Sequence, residues 1–218
     1  MLKGLIKTKE WIIDVLMPKK CLGCGREGSY ICKDCETFLS EVEPSKVEPC
    51  SIMSVWEYEG LMEKLILKIK YEGCYDIIDE LVDMAFKKID LKLPKDTIIT
   101  FVPMYKKKEK YRGFNQAELI ARKVGEKTSC LAVKLLEKAK DNRSQVGLNP
   151  QERLENVKGV FGVLKPSFNS EKLGFVKSVL LVDDVYTTGA TMNECMKVLK
   201  KAGVKNIYGF TLVKKLRR

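Results

Sequence analysis

Two adjacent aspartates and a turn rich in threonine carry the residue types in this chain that are best suited to chemistry. Asp183 and Asp184 end the apolar run that starts at Val179, and the turn 187–191 leads into a helical pattern over residues 190–202. Open α/β sheets bind ligands beyond the carboxyl ends of their strands. The amides and the dipole of a helix N-terminus attract anions. The segment therefore predicts an anion-binding turn beside two carboxylates.

A sugar phosphate suits one phosphate-binding turn next to two carboxylates. Asp183 and Asp184 would accept hydrogen bonds from adjacent ribose hydroxyls or hold a hydrated magnesium ion. The candidate phosphate residues are the glycine, which allows close approach of the backbone, and its neighbours: Thr187, Thr188, Gly189, Ala190 and Thr191. An acidic loop followed by a helix cap would explain the aspartates and the threonines separately, but not their combination. The P-loop motif is absent from the sequence, so a P-loop nucleotidase is unsupported.

The eight cysteines divide into two closely spaced CxxC pairs and four single residues. The pairs CLGC and CKDC can surround one tetrahedral ion with thiolates, which predicts a structural zinc site at Cys21, Cys24, Cys32 and Cys35. A redox CxxC lacks its usual βαβ setting here, and two disulfides conflict with a cytosolic chain. The single cysteines are expected to be small core residues: Cys50, Cys74, Cys130 and Cys195.

The composition indicates a globular protein with one full-sized domain and a small appendage. The chain has 218 residues, of which 45% are hydrophobic, and its net charge is +11. Such a charge attracts polyanions or phosphorylated ligands, or serves solubility alone. Because the chain contains no histidine, a Ser-His-Asp triad and any zinc site with imidazole ligands are excluded.

Strands alternate with helices along most of the chain, which predicts an α/β fold with a parallel sheet. Asn115 is a candidate cap for the helix that follows it. The stretch 131–140 is ambiguous by pattern, and its position favours a strand. The other predicted strands are 52–60, 97–103, 179–184 and 207–213, and the predicted helices are 61–73, 75–89, 114–127 and 190–202.

The N-terminal segment 1–17 has the spacing of a short amphipathic helix that packs on the body of the protein, with membrane contact as the alternative. Lys7, Lys9 and Glu10 interrupt it too early for a signal peptide. No apolar run is long enough for a transmembrane segment. These features indicate a cytoplasmic protein.

A family resemblance appears once these pieces are taken in order. The segment VLLVDDVYTTGAT resembles the ribose-5-phosphate loop of type I phosphoribosyltransferases. With CLGC…CKDC, YEGLMEKLILKIKYEG, FVPMYKKKEKYRGFNQAELIA and RSQVGLNPQERLENVKGVF, the chain resembles the ComF family of competence-associated, phosphoribosyltransferase-like proteins. The resemblance implies a phosphoribosyltransferase-like parallel sheet, flanked by helices, over residues 51–218. Residues 18–50 would comprise a small zinc-binding module with four cysteine ligands and a linker that starts at residue 36.

The resemblance implies that the protein binds phosphoribosyl pyrophosphate with magnesium and displaces pyrophosphate from the anomeric carbon of the ribose. Asp183 and Asp184 would then contact the ribose hydroxyls, and the turn 187–191 would bind the 5-phosphate. The basic run 106–112 would lie where relatives bind pyrophosphate, and a mobile lid would lie over 141–158. The candidates for contact with pyrophosphate are Lys106, Lys108 and Arg112 in the run and Arg143, Gln145 and Arg153 in the lid. A solvated basic loop is the alternative for the run.

Two departures from related families limit the assignment of an acceptor and of a second metal. Purine-salvage relatives carry an aspartate at the position of Thr187, where it serves the incoming base, so purine salvage is disfavoured. Many ComF relatives carry a second cysteine-rich ribbon where this chain has only Cys50, so one zinc is expected.

A second hypothesis is a non-catalytic module that binds single-stranded DNA or competence and DNA-processing proteins. The net charge and the lysine run favour it, but few aromatic residues accompany those lysines: Tyr105, Tyr111 and Phe114.

Overall fold

The structure is a computed structural model that describes residues 18–43, 51–139, 150–164 and 176–216. The predicted helix over 1–17 and the residues Cys50, Arg143 and Gln145 lie outside these ranges. Within them, no helix is both long enough and apolar enough to cross a membrane. The elements in chain order are α1 (Lys33–Glu36), β1 (Ile52–Glu57), α2 (Gly60–Glu72), α3 (Ile77–Lys88), β2 (Thr97–Phe101), α4 (Lys106–Arg112), α5 (Gln116–Thr128), β3 (Leu136–Lys138), α6 (Pro150–Asn156), β4 (Phe161–Val163), β5 (Ser178–Tyr186), α7 (Ala190–Lys201) and β6 (Asn206–Lys214).

Four parallel strands form the central sheet in the order β1-β6-β5-β2. The two inner strands are almost entirely buried, as expected of apolar runs covered on both faces. Val179 pairs with Ile207 of β6 on one side and with Ile98 of β2 on the other. The predicted α/β fold with a parallel sheet flanked by helices is confirmed.

Helices cover both faces of the sheet, and alternate residues of β5 contribute to the two cores. Leu180 and Val182 pack in a core with α2, α3 and α5, whereas Val179 and Leu181 pack in a second core with α7. The chain therefore leaves the adjacent strands β2 and β5 toward opposite faces of the sheet. α/β proteins bind their ligands beyond the carboxyl ends of strands at such a reversal.

The predicted strand 131–140 divides into two pairings. Ala132 makes a parallel bridge with Ile99 at the outer edge of β2, and β3 then pairs antiparallel with β4 in a separate two-stranded sheet. The reason lies in Leu135 and Leu136, which are both fully buried in the second core. Adjacent residues of a regular strand point to opposite faces, so the chain leaves the main sheet to bury both leucines on one side.

The basic run 106–112 forms the short helix α4 rather than a loop, and its four lysines are exposed, as the alternative of a solvated run predicts. Gly113, with φ of +87°, ends this helix in the left-handed conformation. The predicted cap at Asn115 is confirmed: its Oδ1 accepts from the Ala117 amide at 3.0 Å, and its Nδ2 donates to the Val102 carbonyl at 3.1 Å. This side chain joins the start of α5 to the end of β2.

The described part of the predicted linker 36–50, residues 36–43, packs against the rest of the protein. Leu39 is buried in the first core. The Val42 amide donates to the Val55 carbonyl at 2.9 Å, and the Glu57 amide donates to the Ser40 carbonyl at 2.8 Å. Residues 40–42 thus cover the outer edge of β1, which would otherwise expose unpaired backbone groups.

Candidate functional site

A cleft of about 530 Å³ lies at the carboxyl ends of β1, β5 and β6. This volume is in the range of small-molecule binding sites, about 300–1,000 Å³. Both predicted acids lie in its wall, because β5 continues through them to Tyr186. The remaining lining residues are Tyr58, Glu63, Leu67, Lys70, Tyr71, Val185, Tyr186, Thr187, Gly189, Ala190, Thr191, Met192 and Lys215.

Asp184 forms a buried ion pair with Lys70 of α2. The Lys70 Nζ lies 2.7 Å from Asp184 Oδ2, and the two side chains are 20% and 8% exposed. Burial alone would raise the pKa of the Asp184 carboxyl, but the Lys70 ammonium and a hydrogen bond from Gln116 lower it below its usual value. Asp184 is therefore the ionised member of the acid pair.

Asp183 has a different environment from its neighbour. Its Oδ1 accepts a hydrogen bond from the Asp184 amide at 2.9 Å. Burial and the adjacent charge of Asp184 raise the pKa of Asp183 well above its usual value. Burial and the surrounding charges thus shift the pKa values of the two neighbouring carboxyls in opposite directions.

A chain of polar contacts connects Asp184 to the protein surface. The Arg112 guanidinium donates to Gln116 Oε1 at 2.7 Å, and Gln116 in turn contributes to the lowered pKa of Asp184. The same guanidinium lies over the Tyr71 ring at 5.8 Å from its centroid. Arg112 was predicted as a pyrophosphate ligand; here it supports the residue that supports Asp184.

The turn after β5 has the form that the sequence predicts. Gly189 has φ of +77°, and α7 begins directly after it. Four of the five predicted phosphate residues line the cleft, the exception being Thr188, whose Oγ1 accepts from the Ala190 amide at 3.4 Å. Gly189 makes no side-chain capping bond, and the Thr188 hydroxyl bonds the first amide of α7. A helix N-terminus attracts anions through its amides and its dipole.

Among the described residues, none of the other predicted pyrophosphate ligands lines the cleft. Lys106 and Lys108 lie on α4, and no described residue of α4 is among those that line the cleft. Arg153 falls in α6, but the description of that helix does not extend to its side chain, and Arg143 and Gln145 lie outside the described ranges. The roles of these five residues and of Arg112 at a pyrophosphate stay predictions.

Helix α2 supplies one wall of the cleft, which was not predicted from the sequence. Glu63, Leu67, Lys70 and Tyr71 follow helical spacing and face the cleft, while Met62, Leu65, Ile66 and Ile69 of the same helix are buried in the core. Two faces of one helix thus have separate roles. A lysine next to the apolar stripe was a visible signal, but nothing local connects it to Asp184.

The four paired cysteines form one cluster outside the cleft. Their sulfur atoms all lie within 4.8 Å of one another, and Cys24 Sγ is 3.6 Å from Cys32 Sγ. Sulfur ligands of a tetrahedral zinc ion, each at about 2.3 Å from it, lie about 3.8 Å apart. The donor set and its geometry thus fit zinc.

The two CxxC pairs adopt different structures. The first is a tight turn, in which the Gly25 amide donates to the Cys21 carbonyl at 2.8 Å. A methyl group on Gly23 would lie 2.7 Å from Cys35 Sγ, so glycine is favoured there. In the second pair, Cys32 immediately precedes α1 and Cys35 lies within it.

Backbone amides favour the thiolate form of Cys21, one of these four residues. Burial would raise the pKa of the Cys21 thiol, but amides that donate to its sulfur lower the pKa to about 6. The Cys32 amide is one of these donors, at 3.4 Å. A thiolate at neutral pH is the form that binds a metal.

The cysteine cluster is attached to α3 by directed contacts. The Glu80 carboxylate accepts hydrogen bonds from the amides of Tyr30 and Ile31, at 3.0 and 2.8 Å. The Tyr30 hydroxyl donates to Asp76, which also pairs with Lys19 at 3.2 Å. The cluster and the sheet domain therefore share one interface.

Comparison with known proteins identifies the family. The family model described as phosphoribosyl transferase domain matches residues 110–218, which is half of the chain. Competence protein ComFC of Streptococcus pneumoniae is 30% identical over 197 residues, which cover 90% of this chain and 81% of that protein. Competence protein F of Haemophilus influenzae is 30% identical over 86% of this chain and 81% of its own length. The chain belongs to the ComF family of competence-associated, phosphoribosyltransferase-like proteins.

More distant ComF relatives carry a name that refers to DNA. DNA utilization protein YhgH of Salmonella typhimurium is 24% identical over 90% of this chain and 84% of that protein. The region matched by the family model contains the acids, the turn and Gln116, whereas Lys70 and the cysteine cluster precede it.

We expect Gly189→Ala to destabilise the protein. The added methyl group would lie 2.5 Å from Tyr186 Oη, and the backbone φ of +77° at position 189 is unfavourable for alanine. Strain and overpacking of this kind cost roughly 1–3 kcal/mol each. The measurement is the free energy of unfolding in urea.

The matched control for this variant is Gly162→Ala in β4, where an added methyl group would meet no atom within 4 Å. Equal losses of stability in the two variants would contradict the described geometry of the turn.

Proposed function

We propose that this ComF-family protein binds phosphoribosyl pyrophosphate with magnesium and transfers its phosphoribosyl group to an acceptor whose identity is open. The observation that carries the proposal is the convergence of two adjacent carboxylates and the N-terminus of α7 on one cleft. The family model for a phosphoribosyl transferase domain supports it, since it spans both features.

The 5-phosphate of the ligand would bind at the start of α7. The amides after Gly189 and the hydroxyls of Thr187 and Thr191 offer donors there, and the helix dipole adds to the attraction. Asp184 is ionised by its partner Lys70, so it can accept hydrogen bonds from the ribose hydroxyls. Asp183 lies beside it in the cleft wall and would be a second carboxylate for the ribose hydroxyls or for a hydrated magnesium ion.

The reaction at this site would require little from the protein as a nucleophile. The acceptor forms a bond to the anomeric carbon while pyrophosphate leaves with the bonding electron pair, through an oxocarbenium-like transition state. Binding of the sugar in a fixed orientation and neutralisation of the leaving group supply the rate enhancement. Bound magnesium would neutralise part of the pyrophosphate charge. The absence of histidine is no obstacle to such a mechanism.

The cysteine cluster would bind one structural zinc ion through Cys21, Cys24, Cys32 and Cys35. All four positions are thiolate ligands, which leaves no open coordination site for substrate. Because the thiols must stay reduced to bind the metal, we place the protein in the cytoplasm.

We infer a role in natural competence and DNA uptake from the names of the relatives. Two of them are called competence proteins, and a third is called a DNA utilization protein. Such a role would bring the protein into contact with single-stranded DNA or with DNA-processing proteins.

A second candidate function is direct binding of single-stranded DNA, and one surface favours it. Tyr71, Tyr75 and Tyr111 are 68%, 59% and 94% exposed. Tyr71 lies in the last turn of α2 and Tyr75 in the turn between α2 and α3. Both contact the α4–α5 region, since Arg112 lies over Tyr71 and Phe114 meets Tyr75 edge to face at 5.8 Å. The fold thus adds aromatic rings to the lysines of α4, and together they form the combination that binds bases and phosphates of single strands.

Calorimetric titration tests the first function. We expect phosphoribosyl pyrophosphate to bind in the presence of magnesium, and Asp183→Asn/Asp184→Asn to weaken binding by at least about tenfold, which is about 1.4 kcal/mol. The control is Asp90→Asn, which changes an exposed carboxylate that pairs with Lys92. The proposal fails if the folded, metal-supplemented wild type shows no binding heat and no protection against unfolding.

Elemental analysis tests the metal assignment. We expect one zinc per chain in the purified protein, and Cys24→Ser to lower both the zinc content and the melting temperature, because binding of a structural metal contributes to folding. The control is Cys74→Ser, which lies outside the cluster. Equal zinc contents in the two variants would contradict the assignment.

Fluorescence anisotropy with a labelled single-stranded oligonucleotide tests the second function. Replacing Lys106, Lys107 and Lys110 of α4 with alanine should weaken binding and reduce the slope of log K against log salt by about 2. A charge-matched control replaces Lys197, Lys200 and Lys201 on the exposed side of α7. Equal effects of the two triple variants would indicate binding through net charge alone.

A further inference from the structure

Lys70 is a charged residue in the lining of the cleft. It belongs neither to the acid pair nor to the phosphate turn 187–191, so those motifs give it no role. Its ammonium lies 2.7 Å from Asp184 Oδ2, and its side chain is 20% exposed. The other described cation in the cleft lining is Lys215, which follows β6. The lysines of α4, expected to face the ligand, are on a helix outside the lining.

The ion pair is part of a support for Asp184 that reaches it from two helices. Lys70 approaches from α2, and Gln116 approaches from the first position of α5. Arg112 joins the two sides, because it donates to Gln116 and lies over Tyr71, the residue after Lys70. Asp183 Oδ1 accepts a hydrogen bond from the Asp184 amide at 2.9 Å.

Buried carboxylates adopt the charge state that their partners favour. A lysine in contact makes the ionised form accessible in a site where burial would otherwise neutralise it. The same contact restricts the orientation of the carboxylate, since the ammonium lies 2.7 Å from one of its two oxygens.

We propose that Lys70 is a positioning residue that acts through Asp184, orienting this carboxylate toward the ribose hydroxyls of the ligand. The inference rests on the proposed binding of phosphoribosyl pyrophosphate. Direct contact of Lys70 with the pyrophosphate is the competing role.

A double-mutant cycle separates the two roles of Lys70. The dissociation constant of magnesium phosphoribosyl pyrophosphate is measured by calorimetry for wild type, Lys70→Met, Asp184→Asn and the double variant. We expect each single change to weaken binding roughly tenfold, and the double variant to bind no more weakly than Asp184→Asn, because contacting residues that act together are not additive. Lys70→Arg, which keeps the charge, should recover most of the affinity.

The matched control is Lys68→Met, which removes a charge from the same helix but breaks a pair with Glu72 instead. Lys70→Gln replaces Lys70→Met if the latter does not fold. Losses that multiply in the double variant would overturn the proposal in favour of direct contact, and an unchanged affinity of Lys70→Met would overturn it outright. Absence of binding by the wild type would overturn the proposed function and this inference together, so the two failures are distinguishable.

Discussion

The ion pair between Lys70 and Asp184 is the contact on which the candidate site depends. β5 is buried on both faces, so the acids at its carboxyl end lie where an isolated charge is unfavourable. Lys70 reaches them because the opposite face of α2 packs its apolar residues into the first core. Packing of one helix thus sets the position of a cation, and that cation sets the charge of the carboxylate.

A second constraint comes from the direction of the chain at the sheet edge. Because β2 and β5 are neighbours whose following helices lie on opposite faces, the space beyond their ends is not filled by a crossover. The turn around Gly189 directs the N-terminus of α7 into this space, next to the acids. The same topology brings α5, and with it Gln116, against Asp184. An anion site and an ionised carboxylate therefore occur side by side as a result of strand order.

Local signals were sufficient for the strands of the sheet, the cap at Asn115, the acid pair with its turn and the cysteine cluster. Each depends on residues that are close in sequence, so its pattern is visible without the fold. The contact of Lys70 with Asp184 joins distant segments, and its partners become neighbours only when α2 and β5 pack. The aromatic surface was underestimated for the same reason, because Tyr71 and Tyr75 precede the lysine run by many residues. The path of 131–140 depended on two adjacent leucines that share one core.

The most direct test of a phosphoribosyl pyrophosphate site is a crystal structure of the protein grown with this ligand and magnesium. We expect the 5-phosphate to lie at the amides of the turn 187–191, with the ribose hydroxyls within hydrogen-bond distance of Asp184. The ion pair between Lys70 and Asp184 should be retained. A ligand bound elsewhere on the chain, or with its ribose turned away from both aspartates, would contradict it.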